Sequence, residues 1–219
     1  MRKHAKSAPT IATVSPRTQR KRQAILEVAS ELFLQKGYLG TSMDEIAEQA
    51  RISKQTAYKH FASKEALFVA IVSRMTNDAS DRVRDEVSTI GESKDPARYL
   101  KAFAERQLAI VLTPQLMRLR RLVIAEADRF PELGRALFSG GPGRAVETLT
   151  AALEQFKKLG LLKIGRPRSA ASQFNWLVMG QPVNAVMFLG DDARPSAREL
   201  RRHAAEAVSL FLAAYGPSH

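Results

Sequence analysis

Ser42-Met-Asp-Glu-Ile-Ala-Glu-Gln-Ala-Arg-Ile-Ser-Lys-Gln-Thr-Ala-Tyr-Lys-His-Phe61 holds two helix starts and one turn in a single short stretch. Ser42 with Glu45 is a capping box, and Thr41 with Asp44 offers the same pairing one register earlier. Met43, Ile46, Ala47 and Ala50 then share one face of a helix of about two turns. Arg51-Ile-Ser53 is a short turn, and Ser53 caps a second brief helix that runs to Phe61. Two short helices joined in this way make a helix-turn-helix. Ala47 is small where the helices must approach closely, and Ile52 is apolar, which pins the turn to a core. Ala57 and Phe61 turn inward. Lys54, Gln55, Thr56 and Lys59 are left on the outer face, with Tyr58 beside them and His60 at the helix end. Lysine and glutamine can pair with base edges, while threonine and tyrosine reach phosphate or a thymine methyl.

The flanking segments extend this unit in both directions. Ile25, Val28, Ala29, Leu32 and Phe33 form an apolar stripe that begins near Thr18, and Gly37 ends that helix so that Tyr38 can fold back on it. Ser63 caps a fourth helix with Ala66, Leu67, Ala70, Ile71 and Met75 on its stripe. The helix N-termini at Ser42 and Ser63 present free amides suited to phosphate, with Thr41 and Ser53 nearby and Lys64 adding charge beside the second.

Charge points the same way. The chain carries a net charge of +12, and residues 1–22 hold Arg2, Lys3, Lys6, Arg17, Arg20, Lys21 and Arg22 without an acid. Residues 1–79 have 13 basic and 7 acidic side chains; the longer remainder has 21 and 15. The positive field is densest at the N-terminal end, where Arg20 joins the expected DNA contacts. Residues 1–17 lack an amphipathic period and are expected to form a disordered basic arm. The absence of cysteine rules out disulfides and thiolate zinc sites. His4, His60, His203 and His219 are scattered, and Ser139-Gly-Gly-Pro-Gly143 lacks both the lysine and the preceding strand of a phosphate loop, so it reads as a helix break. Neither catalysis, a metal, nor a cofactor is expected. No apolar run is long enough for a transmembrane helix and no apolar segment follows the basic start. A cytoplasmic, nucleoid-associated protein without a membrane partner is the expectation.

Several groups of residues together resemble the N-terminal domain of the TetR family. They are Ile25-Leu26, Leu32-Phe33, Lys36-Gly37-Tyr38, Thr41 to Ala47, Ala50, Ile52-Ser-Lys54, Thr56, Tyr58 to Phe61 and Ser63 to Leu67. The resemblance implies a three-helix reading head linked by a fourth helix to a larger all-helical domain for ligand binding and dimerisation. Two positions depart from the family pattern. Arg51 stands where the turn usually has glycine, straining any left-handed backbone there, and Gln55 stands where a small residue is common.

Beyond residue 79, Asp95-Pro96 and Thr113-Pro114 read as N-caps followed by proline, Pro131 opens a short helix, and longer helices are expected over 144–159, 170–189 and 195–214. Arg121 to Gly134 and Phe174 to Leu189 resemble the C-terminal domain of the AefR-like subgroup, which implies an effector pocket and a dimer formed through the last two helices. Phe103, Met117, Trp176, Met179, Met187 and Phe188 are the candidate pocket residues. Pro182 is expected to kink its helix, with Gln181 and Asn184 as buried polar groups at the bend. The expected fold is all-α with about nine helices: an arm over 1–17, a DNA-binding domain over 18–79 and an effector-binding and dimerisation domain over 80–219. The expected function is a homodimeric repressor that binds a palindromic double-stranded DNA operator and is released by a small molecule. A transcriptional activator and a nonspecific basic DNA-binding protein are the alternatives.

Overall fold

The computed structural model describes residues 16–88 and 94–216. Ten α-helices follow one another: α1 (Pro16–Lys36), α2 (Met43–Gln49), α3 (Lys54–His60), α4 (Lys64–Ser88), α5 (Pro96–Val111), α6 (Pro114–Glu126), α7 (Pro131–Phe138), α8 (Arg144–Lys158), α9 (Pro167–Leu189) and α10 (Ala197–Tyr215). A π turn at Ser139–Gly143 joins α7 to α8 end to end, which leaves nine continuous helical rods among the described residues. Of the arm expected over 1–17, residues 1–15 lie outside the described residues. Pro16 and Arg17 belong instead to α1, where a proline in the first turn loses no hydrogen bond.

The π turn corrects the reading of Ser139–Gly143 as a break. Pro142 has no amide to give, and widening the turn carries the helix past it. Close packing fixes the other requirement: a Cβ on Gly140 would lie 2.5 Å from Thr76 Oγ1 of α4. Ser80 Oγ of α4 donates to the Gly140 carbonyl at 2.6 Å.

Two cores organise the rods. The first gathers Ile25, Leu26 and Phe33 of α1, Ile46 of α2, Ala57 of α3 and Leu67, Phe68 and Ile71 of α4, with Phe61 beside them. Leu119 and Val123 of α6 and Leu133 of α7 complete it. The second is built by α5, α8, α9 and α10 around Leu100, Phe103, Leu108, Leu153, Phe174, Val178 and Phe211.

Proline within α9 has a consequence for its packing. Pro182 cannot donate to the Val178 carbonyl one turn earlier, and His203 Nε2 of α10 lies 2.9 Å from that oxygen. Since a carbonyl only accepts, Nε2 carries the proton, and the orphaned backbone group becomes a tie between the last two helices. The polar residues expected at this bend are not buried. Gln181 is exposed, as is Asn184, whose Nδ2 donates to the Gly180 carbonyl at 2.9 Å. Both stay on the accessible side of the rod, Asn184 toward a cavity that α9 helps to line, while Pro182 is buried.

Candidate nucleic-acid interface and ligand cavity

The turn between α2 and α3 is a Schellman motif. Ile52 N–H donates to the Ala47 carbonyl and Arg51 N–H to the Glu48 carbonyl, both at 3.0 Å. This closure places residue 51 in the left-handed region, with φ 54°, although it is an arginine. Among the described residues it alone has positive φ without being glycine. Ser53 then starts α3, its Oγ accepting from Thr56 N–H at 3.2 Å and pairing with Thr56 Oγ1 at 2.8 Å. Ala57 and Phe61 are buried beneath α3.

The outer face of α3 and its approaches carry Ser53, Lys54, Gln55, Tyr58 and Lys59, all exposed, with Thr56 and His60 half-buried. Ser42 is exposed and accepts from Glu45 N–H at 3.1 Å. Lys54 Nζ lies 2.8 Å from Asp44 of α2, and this bond raises its pKa. Arg20 is exposed on α1. Arg22 on the same helix stacks 4.9 Å from the Phe61 ring centre. Burial first, then the neighbouring Arg22, Lys21 and Lys59 charges, lower the His60 pKa.

Two expected phosphate contacts are turned inward. Thr41 is buried, its Oγ1 donating to the Gly37 carbonyl at 2.9 Å. Lys64 Nζ donates to the Thr41 carbonyl at 2.6 Å and sits 4.1 Å from the Tyr38 ring centre. Its charge braces the α2 entrance against α4. Tyr38 donates its hydroxyl to Glu65 Oε1 at 2.6 Å, and this bond leads the causes that draw the Glu65 pKa down to about 2. Sequence reasoning missed this Tyr38–Lys64–Glu65 cluster because its members meet only through the fold.

A cavity of about 350 Å³ opens between α4, α5, α6, α8, α9 and the π turn. Five of the six expected residues line it: Phe103, Trp176, Met179, Met187 and Phe188. Phe103 is fully buried at its base, whereas Trp176 and Phe188 are largely exposed. Met117 does not line it and is buried in the second core. Leu116, Arg120 and Ile124 share the lining face of α6 at four-residue spacing, and Met117 lies about 100° around the helix from Leu116. The polar lining was not anticipated. Gln107 Nε2 donates to Asn175 Oδ1 at 2.9 Å, both residues being buried, and Arg120 is held below its ordinary pKa by burial.

A helix-turn-helix with an open recognition face, seated on an all-helical body with an apolar cavity, defines a DNA-binding transcription regulator of the one-chain helical class. Residues 25–71 match the model for bacterial regulatory proteins of the tetR family, and residues 98–217 match that of the AefR-like transcriptional repressor C-terminal domain. The chain belongs to the TetR family of transcriptional regulators. It is similar to a structure from Mesorhizobium loti assigned to that family, at 38% identity and TM-score 0.87, covering 93% of this chain and 100% of the other. The flavonoid-responsive regulator FrrA is similar at 27% identity and TM-score 0.76, over 92% of this chain and all of that one. The HTH-type transcriptional activator FasR of Mycolicibacterium smegmatis is 36% identical over 83 residues, 38% of this chain and 37% of FasR. The matched segments span 37% of FasR and 25% and 44% of the Bacillus subtilis regulators YuxN and YdeS, less than half of each.

Proposed function

We propose that this regulator is a homodimeric repressor that reads a palindromic operator through α3 and leaves it when a small molecule fills the cavity. Residues 18–79 read DNA and residues 80–219 sense and dimerise, with the protein acting at the nucleoid. Lys54, Gln55, Tyr58 and Lys59 enter the major groove, and the two half-sites lie about one helical turn or slightly more apart. The carrying observation is that α4 and α6 are shared. Leu67 to Ile71 of α4 and Leu119 and Val123 of α6 pack in the head, while Thr76 to Arg84 and Leu116, Arg120 and Ile124 line the cavity. A ligand that displaces either rod moves the head with it. The name of FrrA supports a small-molecule effector for this architecture. The apolar exposure of Trp176, Leu177 and Leu210 on α9 and α10 supports dimerisation through those helices.

Activation is the second reading, carried by the name of FasR. Fragments of the native genome retained by the protein at physiological salt provide the operator. The joint replacement of Lys54, Gln55 and Tyr58 by alanine is expected to abolish the footprint and leave the dimer intact, each base contact being worth about 1–3 kcal/mol. A footprint retained by that variant, or equal binding of operator and random DNA by the wild type, refutes the role given to α3.

A further inference from the structure

Two polar groups in the cavity lining have no partner among the described residues. Buried Gln107 gives its amide to Asn175, and its Oε1 receives no hydrogen bond. Half-buried Arg120 lines the same space, with no carboxylate or carbonyl bonded to its guanidinium among the described residues. The other arginines of the lining are paired: Arg144 lies 2.6 Å and Arg84 2.9 Å from Asp81. A buried cation without a counter-charge is costly, and so is a buried acceptor without a donor. Around them the walls are apolar, with Phe103, Met179, Val183 and Met187 among them.

We propose that the cavity binds an apolar organic anion, with its anionic oxygen at Arg120. The apolar walls take a ring or chain of modest size, since the space lies near the lower end of ordinary ligand cavities, about 300–1,000 Å³. The inference deepens the effector reading and rests on it for the cavity's role. Acidic phenols and carboxylic acids share this chemistry.

8-Anilino-1-naphthalenesulfonate combines an anion, an apolar body and an N–H in one fluorescent probe. N-phenyl-1-naphthylamine is the same body without the sulfonate. On the full-length protein without DNA, the wild type is expected to bind the sulfonate at one site per protomer, about tenfold or more tighter than the amine. Arg120→Met is expected to erase that preference while keeping its affinity for the amine within about twofold and melting no lower than wild type. Arg120→Lys keeps the preference. Displacement of the sulfonate by apigenin assigns the anion to an acidic phenol, and displacement by dodecanoate assigns it to a carboxylate. Equal affinity of the wild type for both probes, an unchanged preference in Arg120→Met, or failure of both competitors overturns the proposal. Operator release is measured separately. An anion that binds as described and leaves the operator bound refutes release by ligand and upholds the ligand class.

Discussion

Replacing Arg51 with glycine is expected to stabilise the protein, although it removes a charged side chain from a turn in the reading head. An L-residue in the left-handed region costs about 1–2 kcal/mol, and residue 51 sits there with φ 54°. Glycine relieves that strain but gives back about 0.5–1 kcal/mol through its freer unfolded chain. The Arg51 side chain is exposed and makes no hydrogen bond or ion pair among the described residues, so nothing else is lost. The net gain is about 0.5–1 kcal/mol, or about 1–4 °C in melting temperature for a chain of this size. Urea unfolding should show a higher midpoint with an unchanged slope, because the buried surface is the same. Arg51→Ala is the decisive control: it keeps a Cβ at the same φ and should gain nothing. Should alanine stabilise as much as glycine, or glycine destabilise, the strain account is wrong. If the side chain meets a phosphate, Arg51→Gly will lower the slope of log affinity against log salt by about 0.9.

Two further outcomes test other parts of the structure. Glu65, whose pKa falls from 4.5 to about 2, contributes stability above pH 4.5 that is lost as acid titrates it toward pH 2. Wild type should exceed Glu65→Gln by about 1 kcal/mol at neutral pH, a figure discounted for partial exposure, and the two should converge only as the pH falls to about 2; a gap of constant size refutes it. Leu177→Glu with Leu210→Glu places charges on the exposed apolar faces of α9 and α10. Sedimentation should show monomers with weakened operator affinity, and a surviving dimer removes those faces from the interface.

The head was legible because its signals are local. Ser42 and Ser53 cap the helices they precede, Gly37 ends α1, and Arg51 adopts the left-handed backbone that its departure from glycine implied. What sequence spacing could not convey were contacts between distant residues. A lysine next to a helix start looks the same whether it faces phosphate or, as Lys64 does, a carbonyl 23 residues away. Gln107 and Asn175 meet across 68 residues, while Gln181 and Asn184, equally polar on paper, stay exposed. Gly-Gly-Pro looks like punctuation until Gly140 is seen pressed against Thr76. Met117 and Leu116 are neighbours in sequence, yet only Leu116 reaches the cavity.

The same kind of nonlocal packing couples the two ends of the molecule. Arg120 lines the cavity, and Leu119, one residue before it, is buried in the core of the reading head. On α4, Thr76 lines the cavity and bears against Gly140, four residues after Val72 in the head core. Interiors packed to crystal-like density do not absorb a shift of an ångström by local compression. A ligand drawn to Arg120 therefore cannot reposition that side chain's helix without moving Leu119 and Val123 under α1 and α4. On the proposed reading, the energy of binding an anion at this guanidinium becomes displacement of the head. A paired arginine at this position would already have its electrostatic demand met, leaving an anion less to gain from moving the helix.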